Sequence, residues 1–115
     1  MANPLKGQIK VNLGKKEYNA RLTIDSLMQI EDVLDKGVIT VAQEMAEGKI
    51  RLRDLSVILL PALRGGGNNL QQTDVNKIIQ DVGVVETTKV VANLLASTLS
   101  DDSGEESGGQ AQEGK

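Results

Sequence analysis

Cysteine, histidine, tryptophan and phenylalanine are all missing from this chain, and Tyr18 is its one aromatic residue. Without cysteine there is no disulfide framework and no thiolate ligand, which fits a reducing compartment. Without histidine the chain lacks the side chain that titrates unaided near neutrality. A zinc or iron site would have to rely on carboxylates, which suit harder cations. Most familiar catalytic constellations are thereby excluded, and no catalytic residue, metal ligand or cofactor is expected. Long apolar runs are lacking too: no segment approaches the roughly 18 apolar residues that cross a bilayer. The opening MANPLKGQIK has no apolar stretch of the kind a secretory signal needs, so the protein is expected to stay where it is made.

Nor is there a surplus of positive charge. The formal net charge is −3, and the acidity sits at one end, where Asp101, Asp102, Glu105, Glu106 and Glu113 face only Lys115. Residues 1–100 are close to neutral. Nucleic-acid binders of this size show a basic excess or stacking aromatics, so neither nucleic acid nor membrane is expected as a partner.

A chain of 115 residues has room for one domain with a simple core, assigned here to residues 1–100. Residues 101–115, DDSGEESGGQAQEGK, cannot bury enough apolar surface to offset their ordering entropy and are predicted to be disordered. A regulatory or partner-binding tail is the sharper alternative.

The pattern then changes along the chain. QIKVNLG and KKEYNARLTI alternate, with Ile9, Val11, Leu13, Tyr18, Ala20, Leu22 and Ile24 on one face. That period predicts an antiparallel hairpin turning at Gly14, with one wet face and one that must lie on something. DSLMQIEDVLDKG switches to helical spacing, with Leu27, Ile30 and Leu34 on a stripe and Val33 beside it. Ser26 with Gln29 fits a capping box, Asp25 being the other cap candidate, and Gly37 is placed to end this helix. A short helix over about 40–47 carries Val41, Ala42 and Met45. The third, about 52–64, is the most apolar, with Leu52, Leu55, Ile58, Leu59, Leu60 and Leu63. It is expected to be central, and kinked at Pro61, which takes the amide from the carbonyl of Val57. In the fourth, Val75, Ile78, Ile79 and Val82 follow the cap candidate Thr73. After Gly83 the fifth shows Val84, Val91, Leu94, Leu95 and Leu99 on one side. The expected fold is thus α+β and mainly α: an N-terminal antiparallel hairpin on a bundle of about five short helices, with a disordered acidic C-terminal tail.

LRGGGNN, Leu63 to Asn69, is the one stretch that resembles chemistry, since three glycines behind an arginine can cradle phosphate. A phosphate loop of the G-x-x-x-x-G-K-[ST] type leaves a strand and opens a helix, with a lysine and a hydroxyl next. Here the glycines follow a helix and lead to Asn68, Asn69 and Leu70. They read as a helix stop with a flexible turn, because Gly and Asn tolerate positive φ. Other candidates are weaker. Lys49, Arg51 and Arg53 suit phosphate or an acidic partner, and equally a solvated helix start. Met28 and Met45 read as core filler. Glu31, Asp32 and Asp35 suit a cation or simply a wet helix face, and Tyr18 reads as a half-buried strand residue.

The order of the pieces is more telling than any one of them. An N-P-hydrophobic start and a hairpin about a glycine turn come first. There follow Leu22, Thr23, Leu27, Ile30 and Glu31; then Ala46, Glu47, Gly48, Ile50, Asp54 and Leu55; then the A-L-R-G-G-G stop of Ala62 to Gly67. In that arrangement residues 2–100 resemble the gene-transfer-agent family of phage tail assembly chaperones. The chain departs from the family at Ile24 and Leu60, where relatives often carry aromatics, and at Pro61. The resemblance implies a non-catalytic protein of the host bacterial cytoplasm that binds the tape-measure protein of a siphophage-like tail and keeps it soluble while the tube assembles. The tail tube protein is a further partner it suggests, as are self-association and a frameshift-extended form. Helix-in-groove recognition uses apolar surfaces at i, i+3 and i+4. Val91, Leu95 and Leu99 on the fifth helix are assigned here to client contact or self-association, with closure of the core as the competing role. A structural tail component, tube or connector subunit, is the alternative function.

Overall fold

A computed structural model describes residues 8–100. Two strands and five helices follow one another: β1 (Ile9–Leu13), β2 (Lys16–Ala20), α1 (Ile24–Leu34), α2 (Val38–Ala46), α3 (Leu52–Gly65), α4 (Gln72–Val82) and α5 (Val84–Leu99). The fold is therefore mainly helical α+β, as the periodicities predict. The expectation of a disordered acidic tail falls on residues outside the described range.

The hairpin forms where the alternation places it. β1 and β2 pair antiparallel in the register Val11↔Tyr18 and Leu13↔Lys16, closed by Gly14 and Lys15. Gly14 has φ +72°, the positive value that a two-residue loop of the type II′ kind requires at its first position. Val11, Leu13 and Ala20 are buried on one face with Tyr18 half-buried beside them, while Lys16 lies 5.5 Å from the Tyr18 ring centroid. β1 rests on α5 and β2 on α3.

The strand does not run on to Ile24. It leaves the sheet at Arg21, whose amide donates to the carbonyl of Ala62 at 2.8 Å, and Thr23 caps α1 by accepting from the amide of Ser26 at 3.1 Å. Thr23 takes the cap from Ser26 and Asp25 because its oxygen reaches the free amide three residues on. Ile24, expected on the apolar strand face, is consequently 71% exposed. At the other end Asp35, with φ +58°, ends α1, and Gly37 instead precedes α2. Leu27, Ile30 and Leu34 are buried as predicted, but Val33 and Met28 face outward.

α3 is the hub. Leu55, Ile58, Leu59, Ala62 and Leu63 are fully buried, and α1, α4, α5 and β2 all pack on this helix. Leu52, counted with that stripe, is exposed in its first turn. The helix continues through Pro61 to Gly65. Pro61 lies on the outward side with Val57 and Leu60, so the carbonyl it leaves without an i+4 donor is not sealed in the core. α4 begins at Gln72, with the Gln71 amide donating to Asp74 at 2.8 Å; Thr73 is thus inside the helix rather than its cap. Val75 and Ile79 are buried, and Ile78 and Val82 pack at the margin of the core. No single helix among the described residues is long and apolar enough to cross a membrane.

Candidate functional site

The glycine stretch resolves first. Gly65 ends α3, and the amides of Gly66, Gly67 and Asn68 all donate back into its last turn, to Ala62 and Leu63, to Arg64, and to Leu63 respectively. With those donors committed inside the chain, the loop offers no row of amides to a phosphate. Its structural work is closer than a simple stop. A Cβ on Gly65 would stand 2.3 Å from the carbonyl oxygen of Arg21, and one on Gly66 1.9 Å from that of Asn19. Only glycine permits the end of α3 to lie against the backbone of β2. Asn68 completes the joint: its side-chain amide donates to Asn19 at 2.7 Å and to Leu63 at 2.9 Å. Nothing in the sequence distinguishes a glycine needed for φ from one needed for close approach.

The charged candidates separate in the same way. Arg51 holds Asp54, 2% exposed, through two contacts of 3.2 Å, which places an acid in the first turn of α3 where the helix dipole favours it. Lys49 pairs with Glu47. Arg53, between Arg51 and Asp54 in the chain, is exposed and has no ion pair among the described residues. Glu31 accepts from the amide of Val38 at 2.9 Å and so joins α1 to α2. No group of acids that could hold a metal ion is found among the described residues.

The residues assigned to partner contact divide. Val91 and Leu95 are fully buried and belong to the core, while Leu99 is half-buried against it. In this conformation the first two present nothing to a partner. Val84, grouped with the same apolar side, is partly exposed beside Val85 at the start of α5.

Open apolar surface instead collects along the outer side of α3 and at the α4–α5 corner. One hollow of about 860 Å³ is lined by Leu52, Arg53, Ser56 and Val57 of α3, by Gln72, Asn76, Ile79 and Gln80 of α4, and by Gly83 and Val84. A second, about 430 Å³, continues along α3 from Val57 through Leu60 and Pro61 to Arg64, with Ser26, Gln29 and Val33 of α1 opposite. Val57 lines both, so the outward face of α3 carries a hollow on its α4 flank and another on its α1 flank, together termed the trough. Its wall near α4 is set by polar groups that satisfy each other: Ser56 donates to Asn76 at 2.8 Å and accepts from Gln72. Around the corner a third hollow of about 690 Å³ lies between the end of α2 and α5, lined by Ile50, Val84, Val85 and Ala92 among others. Val84 belongs to both the first and the third.

Single exposed apolar side chains are unremarkable, whereas neighbouring hollows with apolar floors are the open apolar surface of this chain that stands out. Their linings hold no nucleophile with an adjacent base. The sequence reading missed this site because Leu52, Val33 and Val84 fit the helical periodicity of the core. Only the packing shows which margin of each stripe is left uncovered.

A family model described as "Phage tail tube protein, GTA-gp10" matches residues 6–101. No curated protein and no solved structure matches the chain.

Proposed function

This chain belongs to the phage tail assembly chaperone family of the gene-transfer-agent type, a non-catalytic family whose partners are tail proteins, and from that premise we propose that it binds the tape-measure protein and keeps it soluble while the tail tube assembles. The observation that supports this reading is the linked open surface: the trough along α3 and the α4–α5 corner at Val84 and Val85. A tape measure that awaits its tube is long and helical, with apolar stripes that would otherwise aggregate. A chaperone for it needs an apolar surface of modest affinity from which tube subunits can displace the client. Open troughs on a rigid helical frame meet that need, because they bury apolar stripe without enclosing it. The work would take place in the host cytoplasm, where tails are built.

The deciding experiment is co-expression with the tape-measure candidate encoded nearby. The expected result is that the client becomes soluble and co-purifies with this chain; a client that stays insoluble, or stays soluble without binding, removes the proposal.

A second reading has one specific observation in its favour, namely that the matching family model is described as a tail tube protein. On that reading the chain is a structural subunit kept in the particle. Mass spectrometry of purified tails separates the two. A tube subunit is present at stoichiometric amounts, whereas an assembly chaperone is absent.

A further inference from the structure

The trough along α3 has an unusual charge pattern. Among the side chains lining its two hollows, the charged ones are Arg53 and Arg64, and no carboxylate lines either, although residues 1–100 are close to neutral. Neither arginine has an ion pair among the described residues. Arg64 is held in place, its Nε donating to the carbonyl of Leu70 at 2.9 Å and its Nη2 to the Gln71 side chain at 3.4 Å. Those contacts use neutral acceptors and leave the positive charge uncompensated.

Position turns this into a pattern. At 100° per residue, the eleven steps from Arg53 to Arg64 return to within about 20° of the same side of the helix, about 16 Å further along. Val57 and Leu60 fall between them on that side, with Pro61 adjacent, all half-buried. The outward face of α3 therefore reads cation, apolar, apolar, cation, with α1 and α4 rising on either side.

Resting on the chaperone reading, we propose that this trough seats a client helix whose apolar stripe is bracketed by carboxylates about three turns apart, one for each arginine. The steps along α3 are four, three and four residues, the same in both directions, so such a helix fits in either polarity. An arginine beside an apolar floor is suited to a carboxylate partner, since guanidinium is weakly hydrated and binds carboxylate with two parallel hydrogen bonds. A polyphosphate backbone would gain the two charges and leave the floor of Val57, Leu60 and Pro61 wet. Residues 101–115 carry acids but offer only Ala111 as apolar surface, so the chain's own acidic end matches the arginines and not the floor.

The test uses the full chain and two synthetic helical peptides of about 15 residues. Both carry the same leucine stripe; one has glutamates bracketing it at the required spacing and the other has lysines. At low salt the glutamate peptide should bind at least about tenfold more tightly, and the difference should fade as salt screens it. Arg53→Glu with Arg64→Glu should reverse the preference. Arg53→Glu alone, which leaves the Arg64 contacts intact, should remove part of it with no change in melting temperature. Amide shifts on binding should centre on Val57, Leu60 and Arg64. Equal affinity for the two peptides, or shifts centred on Val85 and Lys89, would overturn the proposal. A fall in mass by light scattering in the double variant without peptide would give the trough to a second copy. Movement of the 101–115 resonances in that variant would give it to the chain's own end, and either result also overturns it. If the tape-measure candidate still co-purifies after charge selectivity has failed, the chaperone reading survives and the trough assignment falls alone.

Discussion

At the scale of single residues, the most exacting position is Gly66. Its added Cβ would overlap the Asn19 carbonyl oxygen at 1.9 Å, and that obstacle is backbone, which cannot rotate away. Gly66→Ala should therefore force α3 and β2 apart and cost about 3 kcal/mol, at the upper end for overpacking. Gly67→Ala meets nothing within 4 Å but sits at φ +95°, so its cost is conformational and nearer 1 kcal/mol. Urea unfolding of the two variants checks the order. Gly66 itself has φ −86°, which alanine adopts freely, so equal losses would mean that the Asn19 backbone gives way and close approach is not what Gly66 serves. A nucleotide-binding loop would add a second effect, loss of ligand. None is expected, because the amides of Gly66, Gly67 and Asn68 are already donating within the chain.

At the scale of elements, α5 shows how far a pattern can be read. Its helical period was plain in the sequence, and so was the existence of every other element. What the period left open was which residues on an apolar side meet the core. Val91 and Leu95 do; Leu99 and Val84 lie at the margins. Buried aliphatic truncations leave cavities, so Leu95→Ala should destabilise by about 3 kcal/mol. Leu99→Ala should cost less, about 1 kcal/mol, since that side chain packs at the margin of the core and keeps part of its surface in water. If Leu99 also serves a client, its truncation lowers client binding well below that of an equally destabilised core variant, and only that combination supports a partner role. The element ends were least legible, for a related reason. Thr23 and Gln71 took caps that Ser26, Asp25 and Thr73 could equally have formed, and the choice depends on where the preceding segment is pinned. For α1 the pin is Arg21 on Ala62, a contact across 41 residues, which local spacing cannot announce. Pro61 is the converse case. A proline inside a helix costs about 3 kcal/mol against alanine in the interior, yet it is tolerated here because it faces the trough. Pro61→Ala should raise stability by about 1–2 kcal/mol; a loss would show that the ring itself packs against α1.

At the scale of the whole molecule, the question is why so small a domain leaves linked apolar hollows open. A chain with one aromatic residue builds its core from Leu, Ile and Val on α3 and α5, and the flanking helices touch that core along narrow stripes. The troughs are what narrow stripes leave between round helices. A function that needs reversible contact with helical clients can use such gaps without any added element. It follows that the surface can be altered without touching the core, and Val85 is the place to do so. It is 71% exposed and lies in the first turn of α5, which follows Gly83. An acid in that turn faces the positive end of the helix dipole, a placement worth about 0.3–1 kcal/mol in favour of the fold. Val85→Glu should thus keep or slightly raise the melting temperature while placing charge in the corner hollow shared with Ile50 and Ala92. If clients use that corner, the variant should be folded, monodisperse and deficient in holding the tape-measure candidate in solution. Because the substitution favours the fold, a deficit cannot be ascribed to unfolding. Full client solubility with Val85→Glu, set against a loss with Arg53→Glu, would confine the contact to the trough along α3 and leave the corner as bare surface.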